Sequence, residues 1–188
     1  MSSKINVFGI ISGGHWKTLE HNGTKKVSKI DIFTFFLFPL LLAILTVVFE
    51  FKFTTDLTSL LVNFGAIFTA LLLSVLVLVY DQSTKLEEKS DAAKKTDVSY
   101  STKRTILDQL YFNICYSIIA SVTLVVACFI ESICRGKVKT VTLPLEDPTS
   151  FCVDVNTYFA TPLVTFVTVN LILTILMIVK RMHALLTN

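Results

Sequence analysis

Four stretches of this chain, residues 32–49, 57–80, 110–130 and 158–179, contain no Lys, Arg, Asp or Glu at all. A hydrocarbon core of about 30 Å is crossed by roughly 20 apolar residues in a helix, and each stretch is near that length. The first extends to residue 53 if its charged end is included. A soluble four-helix bundle would need charged residues at helical period on its outer faces, and these segments have none. Strands of a membrane barrel are about ten residues of alternating pattern, whereas these runs are unbroken. The expected fold is therefore an all-α membrane protein with four transmembrane helices, for which 53% hydrophobic and 16% charged residues are in keeping. The first apolar run follows some thirty mostly polar residues rather than a short basic lead, so it is expected to stay as an anchor.

Orientation follows from the basic residues, since cytoplasmic loops keep Lys and Arg in excess. Lys4, Lys17, Lys25, Lys26 and Lys29 precede the first span. Lys85, Lys89, Lys94, Lys95, Lys103 and Arg104 lie between the second and third, and Lys180 and Arg181 follow the fourth. Lys52, Arg135, Lys137 and Lys139 are left for the other side. This distribution predicts cytoplasmic N and C termini, a cytoplasmic loop at 81–107 and an extracytoplasmic loop at 131–157, in a bacterial inner membrane. Residues 1–30 form an N-terminal segment and 31–188 the transmembrane domain.

Cys134 and Cys152 flank the extracytoplasmic loop, where an oxidising compartment permits a disulfide. Two unpaired thiols are the alternative, because spacing does not establish the geometry of a bridge. If the bridge forms, "KVKTVTL", with its alternating β-branched residues, suits a short hairpin. On the cytoplasmic side, residues 81–89 mix Lys with Glu and favour continuation of the second helix to about Lys89. The third is expected to begin near Ser101 or Thr102 as a cap, giving a helical stalk. The basic residues Lys85, Lys89, Lys94, Lys95, Lys103, Arg104, Lys180 and Arg181 are candidates to contact lipid headgroups or a protein partner.

Lipid gives helices no hydrophobic reason to associate, so small residues and hydrogen-bonding side chains carry the information within the spans. Asn63, Gly65, Ala66, Ala70 and Ser74 mark a packing face on the second span. Asn113, Ser117 and Ser121 do so on the third, and Thr161, Thr165, Thr168 and Asn170 on the fourth. These residues are expected to join helices or subunits rather than line a conduction path.

No catalytic, cofactor or metal site is expected. Gly13 and Gly14 lack the Lys-Ser/Thr of a phosphate loop. His15 and His21 have no carboxylate or Cys in register, and the acceptor pattern at Asn22 falls on the cytoplasmic side. His183 reads as an interfacial residue beside Lys180 and Arg181. Pro39 is expected to kink the first helix, while Pro162 is tolerated in the first turn of the fourth.

The segments "LLLSVLVLVYDQSTKL" and "ILTILMIVKRMHALL", with a layout of four spans, a basic inner loop and a short tail, resemble the small membrane subunit of the bacterial Kiwa anti-phage defence system. The resemblance spans the chain in layout and rests on hydrophobic segments, with no residue-level motif to carry over. It implies a homo-oligomeric inner-membrane sensor that responds to phage attack and works with a cytoplasmic DNA-binding effector; for this chain a homo-oligomer, such as a tetramer, is expected. The expectation for this chain is accordingly a non-enzymatic sensor or scaffold that contacts membrane lipid and a cytoplasmic protein effector and binds no nucleic acid itself. The alternatives are a pore-forming effector that depolarises the cell and an accessory subunit of a transporter.

Overall fold

The computed structural model describes residues 29–88, 100–135, 138–142 and 150–187. Four helices in it are long and apolar enough to cross a membrane. The first, α1, is built of Lys29–Ile32, a π-helical stretch Phe33–Leu37, and Phe38–Val48. Then come α2 (Thr55–Glu87), α3 (Tyr100–Cys134), strands β1 (Val138–Thr142) and β2 (Ser150–Asp154), a π-helical turn Asn156–Ala160, and α4 (Thr161–Thr187).

Each boundary has a local cause. The helix α1 stops where Glu50 takes a left-handed φ of 49°. The Glu50 N–H then donates to the Val47 carbonyl at 3.1 Å, and the Phe51 N–H reaches back to Thr46 at 2.9 Å. This is the Schellman pattern, usually completed by glycine. Thr54, extended at ψ 159°, caps α2 by accepting the Leu57 N–H on its side chain. At α3 the helix already includes Tyr100, so Ser101 and Thr102 sit inside its first turn rather than capping it. The Thr105 hydroxyl donates to the Ser101 carbonyl at 2.8 Å.

Pro39 produces a π-helical stretch. Proline has no N–H to offer the carbonyl four residues earlier, which here is Phe35. The Phe38 N–H bonds to Phe33, five residues back, widening the helix, and the Phe35 carbonyl accepts from Asn170 Nδ2 of α4 at 2.8 Å. The irregularity in one helix is thus satisfied by an amide on another.

The helices pack in the order α1–α4–α3–α2, and α1 and α2, although consecutive in sequence, share no comparable contact. The central α3 buries residues on a wide arc, including Leu110, Asn113, Ile114, Ser121 and Leu124. On α2 the buried positions are Thr58, Gly65, Leu72, Val79 and Leu86, one every seven residues. Val164, Leu171 and Ile178 repeat that interval on α4. A seven-residue repeat holds one face of a helix against its neighbour over its whole length. The outer helices α1 and α2 are correspondingly the least covered.

With 33 residues at about 1.5 Å each, α2 is close to 50 Å long, well beyond a hydrocarbon core of about 30 Å. Its surplus lies at the end with Leu86, which packs with Leu107 of α3 and with Met182 and Leu185 of α4. With 35 residues α3 is similarly long, so both helices exceed what a hydrocarbon core requires. The opposite end carries the ribbon, in which β1 and β2 pair antiparallel with Thr140 opposite Cys152, the one non-helical element among the described residues. A strand pair is thus present in the loop where the sequence suits a hairpin on condition of a bridge. Cys134 is a free thiol at the end of α3, and the side chain of Cys152, the other half of the possible bridge, lies outside those the structure describes. The strand ladder and the polar contacts at its base hold this end together.

Candidate functional site

The ribbon-end polar network and the two faces of helix α2

Glu131 is the one fully buried carboxylate among the described residues, with no exposed surface. It lies in the last turn of α3, just past the apolar run. Arg135, one turn later, donates Nη2 to Glu131 Oε2 at 2.8 Å and to Oε1 at 3.1 Å. From α2, the Thr58 hydroxyl donates to Oε2 at 3.0 Å and accepts from Arg135 Nη2 at 2.8 Å. Arg135 Nη1 also reaches Thr55 at 2.6 Å. From the segment preceding α4, Asn156 Nδ2 donates to Glu131 Oε1 at 3.2 Å. Every neighbour of this carboxylate offers it a proton, which suits an ionised, acceptor-only group. A charge in low dielectric persists only when paired and hydrogen-bonded in this way.

The network continues into the ribbon. Asp154, the last residue of β2, accepts from the Asn156 N–H at 3.1 Å and from the Thr157 hydroxyl at 3.0 Å. It also pairs with Lys52, in the α1–α2 connection, at 2.8 Å. The hydrogen bond from Lys52 holds the Asp154 carboxyl below its ordinary range, and the same bond raises the Lys52 ammonium. One polar cluster therefore ties the α1–α2 connection, the ribbon, α2, α3 and the π-helical turn that leads into α4 together at this end.

The second feature is how α2 divides its small and polar residues. Gly65 and Thr69 face α3. A Cβ at Gly65 would stand 2.9 Å from Val125 Cγ2 and 3.1 Å from the Ser121 carbonyl, so glycine permits this approach. One turn on, the Thr69 and Ser121 hydroxyls are 2.8 Å apart. Asn63, Ala66, Ala70 and Ser74 point away from the chain and are exposed. The residues expected to form one packing face thus split between an internal seam and an outer surface.

The other predicted positions separate similarly. On α3, Asn113, Ser117 and Ser121 are all buried, and the Ser117 hydroxyl has no hydrogen-bond partner among the described residues. On α4, Asn170 does join helices, accepting from Tyr116 of α3 at 2.7 Å while donating to Phe35 of α1. Thr165 and Thr168 do not: their hydroxyls donate to the Thr161 and Val164 carbonyls of their own helix, at 3.0 and 2.7 Å. Hydroxyls that bond back four residues are satisfied locally and contribute no tie across the interface. Thr161 is buried, with its hydroxyl unpartnered among the described residues.

At the basic end, Lys85 pairs with Asp81 at 2.7 Å. Arg104 of α3 approaches Glu87 of α2 at 3.5 Å. Lys103 is half-buried and Lys180 exposed, and Arg181 donates to the Gln109 carbonyl at 3.4 Å. These residues meet at one end of the helices, as the charge distribution predicts. Lys89, Lys94 and Lys95, with His15, His21 and Asn22, lie outside the described residues.

Glu131, Arg135, Asp154 and Lys52 escape a sequence reading that treats span ends as boundaries. The available signal was Glu131 followed by Arg135 four residues later, the spacing of a helical ion pair. Among the described residues, no group of three His, Cys, Asp or Glu could hold a metal ion. The chain matches no protein-family model, and searches of curated proteins and of solved structures find no match either.

Proposed function

We propose that this chain is a non-enzymatic sensor or scaffold of the bacterial inner membrane, with both termini and the lysine-rich end in the cytoplasm. It assembles with copies of itself and engages a cytoplasmic effector, in the manner of the anti-phage membrane subunit that its layout resembles. The observation that carries this reading is the outer face of α2, where Asn63, Ala66, Ala70 and Ser74 are exposed together. An amide left facing hydrocarbon is costly, and small residues beside it permit another helix to approach closely. A second copy offering the same face satisfies both. The open order α1–α4–α3–α2 favours the same conclusion, because it leaves α2 at an edge of the row.

Signal transmission in this scheme begins at the ribbon. A ligand or membrane perturbation that moves Asn156 would disturb the bonding of Glu131, and with it the register of α2 against α3. The stalk that these helices share, up to Leu86 and Leu107, would carry that change to the basic end and its effector.

The test is the double substitution Ala70→Leu with Ser74→Leu. Both positions are exposed, so the fold and thermal stability should be retained while the particle in detergent shrinks to a monomer. An unchanged oligomer would remove this face as the interface. Expression with a membrane-potential dye separates the sensor from a pore: the sensor leaves the potential intact in the absence of its partner.

A further inference from the structure

Between α2, α3 and α4 at the basic end lies a cleft of about 460 Å³ lined by Leu78, Leu86, Leu107, Leu110, Met182 and Leu185, with Lys85, Lys103 and Gln82 also contributing to its lining. Its volume falls within the roughly 300–1,000 Å³ typical of ligand sites, which combine apolar walls with a few polar groups. We propose that this cleft binds an anionic phospholipid, with an acyl chain against the leucines and the phosphate at Lys103 and Lys85.

Charge complementarity selects the occupant. Lys85 is shared with Asp81, but Lys103 has no ion pair among the described residues and is half-buried beside the apolar wall. A cation of this kind, placed where a span leaves the hydrocarbon, suits the phosphate of a lipid whose tails remain in the bilayer. Soluble phosphate would leave the leucine wall unused, and a neutral lipid would leave Lys103 without an anion. A second cleft at the same end, between α1 and α4, is less suited. Asp31 lies among its lining residues with Lys180 and Arg181, offsetting their charge, and Arg181 is already engaged with a backbone carbonyl. The lipid would sit against α2, α3 and α4 together, so its presence would brace the stalk that the proposed function uses.

This site rests on the bilayer reading, and the experiment separates the two. The full chain is reconstituted in vesicles of phosphatidylcholine or of phosphatidylglycerol. It is then extracted into detergent, where bound lipid is counted by native mass spectrometry. Phosphatidylglycerol should be retained in preference to phosphatidylcholine. Lys103→Gln should weaken its retention about fivefold, the equivalent of roughly 1 kcal/mol for one lysine at an anionic surface. Leu78→Trp, which fills the cleft from an exposed position, should displace the lipid without touching the buried core, and free glycerol phosphate should not compete. Equal retention of the two lipids, wild-type retention by Lys103→Gln, or displacement by glycerol phosphate would each overturn the lipid site while leaving membrane insertion standing. Failure to enter vesicles of either lipid would overturn the bilayer reading and the site together.

Discussion

Replacing Glu131 with Ala should be among the most damaging single changes this chain can suffer, and the structure sets the scale. The substitution removes the acceptor of three Arg135 contacts at 2.8, 3.1 and 3.3 Å, of Thr58 at 3.0 Å and of Asn156 at 3.2 Å. Breaking a buried ion pair from one side typically costs about 3–5 kcal/mol, because the partner charge is left uncompensated. Arg135 is 30% exposed in its side chain, so water recovers part of that loss and the lower half of the range, about 3 kcal/mol, is expected. Glu131→Gln is the sharper probe. It preserves shape but turns one acceptor into a donor facing a set made entirely of donors, and should cost about 2 kcal/mol, the value of a charged hydrogen bond. Removing Arg135 as well should cost less than the sum of the two single changes, since no buried charge then remains unpaired. The assay is reversible unfolding in mixed micelles, followed by far-ultraviolet circular dichroism across a double-mutant cycle. A loss under about 1 kcal/mol for Glu131→Ala, or strict additivity with Arg135→Ala, would refute the reasoning that this network holds the ribbon end together.

Other perturbations have signs fixed by particular contacts. Glu50→Gly should stabilise by about 0.5–1 kcal/mol, because a left-handed residue at a helix end favours glycine; an unchanged unfolding midpoint would contradict the role given to that turn. Asn170→Leu should cost about 1–2 kcal/mol by leaving the Phe35 carbonyl unpaired. Pro39→Ala in that background should recover stability by restoring a backbone donor, and the same micelle assay reads both. The Lys52–Asp154 pair should hold through neutral pH and past the ordinary titration range of each group, because the Asp154 carboxyl is lowered and the Lys52 ammonium raised by their shared hydrogen bond. The Asp154 pKa is lowered on folding, so its contribution exists above the unfolded value and is lost as pH falls through the folded one. The Lys52 pKa is raised, so its share is present below the unfolded value and lost as pH rises through the folded one. Protection factors of the ribbon amides, taken relative to the intrinsic exchange rate at each pH, should fall at acid pH in the wild type, and Asp154→Asn should show the lower protection already at neutral pH.

The four apolar helices could be read from the sequence because a hydrocarbon solvent imposes one strong constraint, uninterrupted apolar length. The continuation of α2 past its apolar run was equally legible, since Lys85 and Glu87 are good helix formers. What composition could not decide was which side of a helix faces inward. Gly65 and Ala66 are adjacent and both small, yet one lies in the α2–α3 seam and the other on the surface. The separation comes from the seven-residue repeat of buried positions, which an almost wholly apolar segment conceals. The threonines of α4 illustrate a different limit, because a hydroxyl in a helix can bond to its own backbone or to a neighbour, and the sequence looks the same in both cases. Glu131 was missed because hydropathy places it outside the span, whereas tertiary contacts from Thr58, Arg135 and Asn156 bury it. The Pro39–Asn170 relation joins residues far apart in sequence, and only the packing of α1 on α4 brings the freed carbonyl to the amide.

The proposal depends above all on antiparallel helices crossing a bilayer with the lysine-rich end in the cytoplasm. Single cysteines at Ala93 and Glu146, introduced in a background where Cys115, Cys128, Cys134 and Cys152 are replaced, can be probed with a membrane-impermeant maleimide on spheroplasts before and after lysis. The account predicts labelling at position 146 in intact spheroplasts and at position 93 only after lysis. Labelling of position 93 in intact spheroplasts, with position 146 protected, would contradict it.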